Sequence, residues 1–375
     1  MNNVKVLAYY LPQYYPCPEN NEWWGEGYTE WTTVAKAKPL FPGHHQPKIP
    51  SNLGFYDLRL PQVREEQARL ASAAGVSAFC YWHYWFGGGR QLLTLPLQEV
   101  LRLHTPLFPF CLSWGNHSWY NKYWNIKKGA LSAFDSKLLI EQKYMGDEDD
   151  KEHFMTMLPA FKDERYFRID GRLVFVIYEP LGLPDFTKFK KLWNELAQKE
   201  GLGGFYFIAH TWEVEKVDAI RELAFDAINL STHHYPFSSH RGSSIAGMGE
   251  RVVNNMNRLG LMPRVISYRK AIKKMNIPLF DEDKIYPTLI PNWDHTPRSG
   301  RTGRLFQNCT PELFRLHIQD MLGHVQHKDE TDQVLFLKSW NEWGEGNYME
   351  PDLEYGDARI KVLGEEIAKF NKRKE

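Results

Sequence analysis

Eight short apolar runs, separated by stretches of helical periodicity, constrain the fold of this sequence more than any other feature. They cover residues 4–10, 76–82, 107–114, 173–178, 204–210, 227–231, 285–291 and 334–340. Most are β-branched or aromatic, are bounded by turn residues and are apolar almost throughout. Strands buried on both faces have this character, as in a parallel sheet covered by helices. Helix patterns lie between them at 60–75, 91–103, 186–200, 213–223, 264–275, 311–327 and 356–372. In the first, "LPQVREEQARLASAAG", Pro61 lies near the start, Val63, Ala68, Leu70 and Ala71 form the apolar set, and Gly75 closes it. Strands and helices in this alternation predict an α/β fold, a (β/α)8 TIM barrel. A doubly wound open sheet is the alternative, weakened by the lack of a GxGxxG after the first run. "FGGGR" after the second run is read as a turn.

The chain has 375 residues, more than the roughly 250 of a typical barrel, so some βα loops must be long. The expected insertions are 115–171 and 233–263. The first contains "GDEDDKE", read as a solvated surface turn in preference to a metal site. Nothing resembling a linker or an internal repeat divides the chain, and a single catalytic domain over 1–375 is expected.

Lysine plus arginine balance aspartate plus glutamate at 46 each, which disfavours nucleic acid as a partner. Cys17, Cys80, Cys111 and Cys309 show no CxxC spacing, and Cys80 and Cys111 lie in apolar runs as buried thiols would. "MNNVKVLAYYLPQYYP" lacks the pattern of a signal peptide, and no run approaches a membrane span. A soluble, cytoplasmic protein without membrane insertion, cofactor or metal is expected; its oligomeric state is not readable.

Barrel enzymes act at the C-terminal ends of their strands, and there the chemistry-bearing residues concentrate. Aromatic residues make up 14% of the chain, and nearly all of the tryptophans fall on that predicted face. After the first run come Tyr10, Gln13, Trp24, Glu30 and Trp31; after the second, Trp82 and His83; after the third, Trp114, Asn116, Trp119 and Trp124. The next three runs end in Glu179, His210 and His234-Tyr235; the seventh ends in Trp293, Asp294 and Arg298. Stacking rings interleaved with polar tips suit a carbohydrate site. Blander readings stand beside these: His83 as a core histidine, Asp294 and Arg298 as a mutual pair, Glu179 as a loop brace, the aromatics as a protein interface. Adjacent His233 and His234, with no HxH or HExxH, argue against zinc.

The eighth run ends in "KSWNEWGEGNYMEP", which supplies Trp340, Asn341 and Trp343 and sets Glu342 and Glu345 three residues apart. Gly344 and Gly346 permit a tight turn that places both carboxylates on one side. Two such groups among indole rings cannot both ionise freely, so one pKa is expected to rise, giving one acid and one base.

"YYLPQYYPCPENNEWWGEGYTEW", "GHHQPKIPSNLGFYDL", "AGVSAFCYWHYWF", "YFRIDGRLVFVIYEP", "WDHTPR" and "SWNEWGEGNYMEP" together resemble the WbsX-type family of bacterial polysaccharide-locus proteins. That family is labelled glycosyltransferase-like and is related to glycoside hydrolase family 99, the endo-α-1,2-mannosidases. The resemblance runs over nearly the whole chain. It implies a (β/α)8 barrel acting on α-glycans, with retention through a 1,2-anhydro sugar. Glu342 then corresponds to the base on the sugar 2-hydroxyl and Glu345 to the acid on the leaving oxygen. Two positions depart from the family pattern: Asn116-His117 stands where Asn-Glu is common, and Asp294-His295 where Asp-Asn is common. The mannose assignment therefore does not transfer. The expected function is a retaining, endo-acting glycoside hydrolase on a bacterial polysaccharide. A surface-polysaccharide glycosyltransferase and a non-catalytic glycan-binding barrel are the alternatives.

Overall fold

The computed structural model describes residues 3–120, 137–238 and 245–372, so Trp124 lies outside the described residues. Eight parallel strands close on themselves: β1 (Lys5–Tyr10), β2 (Ala78–Trp85), β3 (Phe110–Trp114), β4 (Arg172–Ile177), β5 (Phe205–Thr211), β6 (Ala227–Leu230), β7 (Ile285–Leu289) and β8 (Val334–Leu337). Each pairs in parallel with the next, and β8 pairs with β1. The fold is the expected (β/α)8 barrel, with helices between strands and both strand faces buried.

The helices are α1 (Pro18–Trp24), α2 (Glu30–Lys36), α3 (Pro61–Ala73), α4 (Leu95–Leu103), α5 (Asp147–Phe161), α6 (Phe186–Lys199), α7 (Val217–Arg221), α8 (Ile245–Arg258), α9 (Tyr268–Met275), α10 (Thr296–Ser299), α11 (Pro311–Val325) and α12 (Ala358–Lys372). At the end of α3, Gly75 is left-handed (φ 74°). Its N–H donates to the Ser72 carbonyl and that of Val76 to the Ala71 carbonyl, the double bond that terminates helices at a glycine.

Several boundaries differ from expectation. The third strand begins at Phe110 because Leu107 is 84% exposed and Pro109 has no N–H to give the ladder. The pattern at 91–103 becomes helical only from Leu95, since Gln91 and Leu92 pair antiparallel with the end of β2. The pattern at 264–275 splits into a strand, Arg264–Ser267, and α9; that strand pairs in parallel with Arg304–Gln307 outside the barrel. "GDEDDKE" is not a solvated turn. It opens α5, whose N-terminal dipole favours acidic residues. Asp149 is buried there, accepting from the Trp85 indole at 3.3 Å and the Gly88 N–H at 2.6 Å. Among the described residues no helix is long and apolar enough to cross a membrane.

Candidate active site

From β8 the chain passes through a cis Lys338–Ser339 peptide into a small hairpin in which Asn341–Glu342 pairs antiparallel with Asn347–Tyr348. A 3-10 turn, Trp343–Glu345, joins the two arms. Gly346 has φ 54°, and a Cβ there would lie 2.8 Å from the Asp294 Cβ and 2.9 Å from its nitrogen. A Cβ on Gly344 would overlap the Glu30 carboxylate. Both glycines are therefore required by close approach.

The hairpin is clamped on every side. The Asn341 amide accepts from Leu11 N at 2.7 Å and donates to Leu11 O at 3.0 Å. The Tyr14 hydroxyl donates to the Asn341 carbonyl and accepts from Trp343 N at 3.2 Å. Trp343 stacks on Tyr348, centroids 3.7 Å apart, and donates its indole N–H to Glu350 at 2.6 Å. Glu350 is buried and also accepts from Gln67 (2.6 Å) and Tyr56 (2.9 Å). Burial pushes its carboxyl up to about 7 against those donors.

At the centre is Arg298 on α10. Its Nη2 donates to Glu30 Oε1 at 2.7 Å, and its Nη1 to Glu345 Oε1 at 2.5 Å and Glu342 Oε1 at 3.3 Å. The other Glu342 oxygen accepts from Ser339 at 2.9 Å and lies 3.6 Å from Lys338 Nζ. His295 Nε2 is 3.5 Å from Glu345. The charge pattern departs from that expected of an isolated carboxylate pair. Burial disfavours an ionised Glu345, but Arg298 above all, with His295 and Lys338, holds its carboxyl well below the usual range. The carboxyl that rises is that of Glu30, fully buried on α2, where burial outweighs Arg298 and the charges of Glu342 and Glu345 add to it.

The expected site residues divide into three groups. Some frame the barrel mouth. Trp82 stacks on Tyr9 (5.0 Å, 13°), and His210 stacks on Tyr178 (5.1 Å, 9°) while bonding Asn229 at 2.8 Å. Trp293 meets His234 edge-on at 4.9 Å, beside Trp212 and the half-buried Tyr235. Trp24 packs near Tyr28, and Trp119 stands edge-on to Tyr84 at 4.9 Å. Burial brings both His210 and His234 down to about 3.

Other residues brace this frame. Asn116 accepts from Glu179 N (2.8 Å) and donates to Glu179 O (2.9 Å), tying the ends of β3 and β4; burial raises the Glu179 carboxyl. Gln13 is buried and its carbonyl accepts from Glu30 N at 3.0 Å. Asp294 does not pair with Arg298. It accepts from His44 (2.8 Å), Gln46 (2.7 Å) and the Thr296 hydroxyl (2.6 Å) and N–H (2.9 Å), so both oxygens are occupied by protein.

A third group points away from the mouth. Successive strand residues face opposite sides, so Tyr10 turns to α3, donating to Gln67 at 2.7 Å, while Tyr9 takes the interior position. His83 lies under α5 with its Nε2 2.7 Å from that of His153. Trp114 donates to the Trp85 carbonyl at 2.9 Å, Trp31 donates to the Tyr56 carbonyl at 2.7 Å, and Trp340 is buried against Phe79. Tyr9 and Tyr178, at the ends of the first and fourth runs, are legible in the sequence with Tyr10 and Glu179, whereas Lys338, Ser339 and the His295 contact were not anticipated. The four-residue spacing of Lys338 from Glu342 was the available signal for the lysine. Among the described residues no group of three or more His, Cys, Asp or Glu could hold a metal ion.

Comparison with known proteins gives concordant results. The family model described as "Glycosyltransferase WbsX" matches residues 6–363. The "Uncharacterized protein WxcX" of Xanthomonas campestris pv. campestris is 32% identical over 354 residues, 94% of this chain and 48% of that protein. The chain thus spans about half the length of the curated relatives it matches. A GH99 endo-alpha-mannosidase from Bacteroides thetaiotaomicron superimposes with a TM-score of 0.54 at 15% identity, covering 100% of this chain and 99% of that one. A "Glycoside hydrolase-like protein" gives 0.56 at 15% identity, covering 98% and 94%. At these identities the structural likeness is one of fold.

Proposed function

The chain belongs to the WbsX glycosyltransferase family, and from that membership and the geometry of its barrel mouth we propose that it is a retaining glycoside hydrolase. Its substrate is an α-linked bacterial polysaccharide, cleaved internally. The observation that carries this reading is the pair Glu342 and Glu345 on one hairpin turn, both bonded to the same Arg298 nitrogen. Ordinary glycosidases place their carboxylates on separate elements about 5–10 Å apart. A pair this local serves neighbouring atoms of one sugar ring. Glu342 takes the proton of the sugar 2-hydroxyl as that oxygen attacks the anomeric carbon. Glu345 gives its proton to the departing glycosidic oxygen, and water then opens the 1,2-anhydro sugar with retention.

Arg298 favours the ionised form of Glu345, so the acid role requires that the glycan separate Glu345 from Arg298. Glu30, on the other guanidinium nitrogen, keeps the arginine in place. Incubation with defined bacterial polysaccharides and product analysis tests the activity. Glu342→Gln and Glu345→Gln should each lower turnover by roughly 10²–10⁴, the usual contribution of general acid or base catalysis, while leaving glycan binding. Full activity in either variant ends the assignment.

The family's description favours a second reading, a glycosyltransferase of surface-polysaccharide assembly. Release of nucleotide from activated sugars, without hydrolysis of polymer, would establish it. Glycan bound but unchanged after long incubation would identify a binding barrel.

A further inference from the structure

Beside the carboxylate centre lies a cavity of about 510 Å³ between the ends of β5 and β6 and the C-terminal turn of α8. Its size is that of a ligand pocket. One wall is aromatic, built from Trp212, His234 and Tyr235. The other is lined by three arginines from three elements: Arg258, Arg264 and Arg304.

The arginines are brought together by the fold. The two-stranded sheet outside the barrel pairs Arg264 directly with Arg304, and like charges directly opposite each other across strands are destabilising. Both residues nevertheless line the same cavity, Arg304 exposed and Arg264 buried behind it with its guanidinium donating to the Phe237 carbonyl. Their guanidinium carbons lie 5.4 and 5.8 Å from the centroid of the Phe237 ring, which offsets part of the repulsion. Arg258 sits in the last turn of α8, where the helix dipole favours a cation. Of the two acids at the lip, Glu213 is ion-paired with Lys216. A chain of packed rings, through the buried Trp293, joins the cavity wall to the carboxylates. Trp293 contacts His234 at 4.9 Å on one side and lies 6.2 Å from His295 on the other, and His295 is 3.5 Å from Glu345.

We propose that this cavity is a subsite for an acidic sugar unit, its ring against Trp212 and Tyr235 and its acid group toward Arg258 and Arg304, with the charge of Arg264 behind them. Planar guanidinium groups match carboxylate and phosphate oxygens in bidentate geometry. The anion is therefore a uronic acid carboxylate or a phosphate ester. The inference rests on the glycan reading of the site and narrows its substrate to an anionic polysaccharide.

The test is calorimetric titration of the whole chain with methyl hexuronides, inorganic phosphate and the corresponding neutral methyl hexosides. The expected result is binding of a hexuronide or phosphate at least tenfold tighter than that of the neutral glycosides, weakening with added salt. Arg258 and Arg304 are exposed, so Arg258→Gln with Arg304→Gln should preserve the fold and abolish the preference. Tight phosphate binding with no hexuronide preference assigns the acid group to a phosphate ester. Equal affinity for charged and neutral ligands, or a preference that survives in the double variant, overturns the proposal. A hexuronide bound by a protein that cleaves no polymer would remove the hydrolase and leave the subsite. Equal cleavage of neutral and acidic polymers would do the reverse.

Discussion

Arg298→Met is the most informative single perturbation of this site. Arg298 is the partner of three carboxylates, and its side chain is only 9% exposed, against 0% for Glu30, 8% for Glu342 and 16% for Glu345. Removing one member of a buried ion pair costs about 3–5 kcal/mol, because the remaining charge is left uncompensated. With Glu30 and Glu345 both deprived, the loss at pH 7.5 should lie at the upper end of that range. Its pH dependence identifies the cause. In the native protein Glu345 has a folded pKa below its unfolded value of roughly 4.3, so its contribution is complete above that pH and disappears only in acid. Without Arg298, burial is left to dominate: the Glu345 carboxyl rises above the unfolded value, and that of Glu30, already raised, rises further. The folded variant then retains protons that the unfolded chain has released, and its stability falls as pH rises from about 4.3, by up to ~1.4 kcal/mol per pH unit for each group. Urea titrations of both proteins at pH 5.0 and 7.5 measure this. The gap between them should be larger at pH 7.5 by at least about 1.4 kcal/mol, one group through one pH unit. A gap independent of pH would refute the electrostatic account and make Arg298 a packing residue.

Other perturbations probe the surrounding frame. Gly344→Ala should cost about 1–3 kcal/mol by overpacking and lower turnover with it, because its Cβ displaces Glu30; thermal melts and activity assays on the same preparation check both. Glu350→Gln turns an amide toward three donors and should cost roughly 1–3 kcal/mol. The Glu350 carboxyl is raised to about 7, so its protonated form contributes stability that is complete below about 4.3 and lost as pH rises through 7. The deficit of the variant should therefore shrink toward neutral pH in denaturant titrations. The two ε nitrogens of His83 and His153 share one proton, and burial holds both rings neutral, far below their ordinary range. Stability from such a depressed histidine is lost as pH falls below about 6.5. His153→Leu should reduce the dependence of the unfolding midpoint on pH between 6.5 and 5 by about one proton, and an unchanged slope would count against a neutral pair.

The barrel was legible because each strand is apolar on both faces, and a run such as Leu173 to Ile177 has few other uses. The hairpin was legible because two glycines among carboxylates and indoles leave little but a tight turn at a strand end. Direction along a strand was harder. Tyr9 and Tyr10 are adjacent and chemically alike, and only the phase of β1 decides that the first faces the mouth. Arg298 escaped notice as the organiser of the site because Glu30 and Glu345 lie 268 and 47 positions from it in the chain. No local pattern signals a long-range ion pair. For the same reason neither a site role for Asp294 nor a pairing with Arg298 pointed to its actual partners: His44 and Gln46, which occupy it, come from a loop 250 and 248 residues away. Helix α5 was hidden by its acidic start, a composition shared by surface turns and helix N-termini.

Both carboxylates ride on one hairpin, stacked through Trp343 and Tyr348 and tied by Asn341 to Leu11. The separation of the two carboxylates is therefore set within one short segment, while Arg298 and Glu30, from the ends of β7 and β1, set their charge. A side-chain exchange in either neighbouring loop would therefore alter the ionisation of the pair before it alters its spacing.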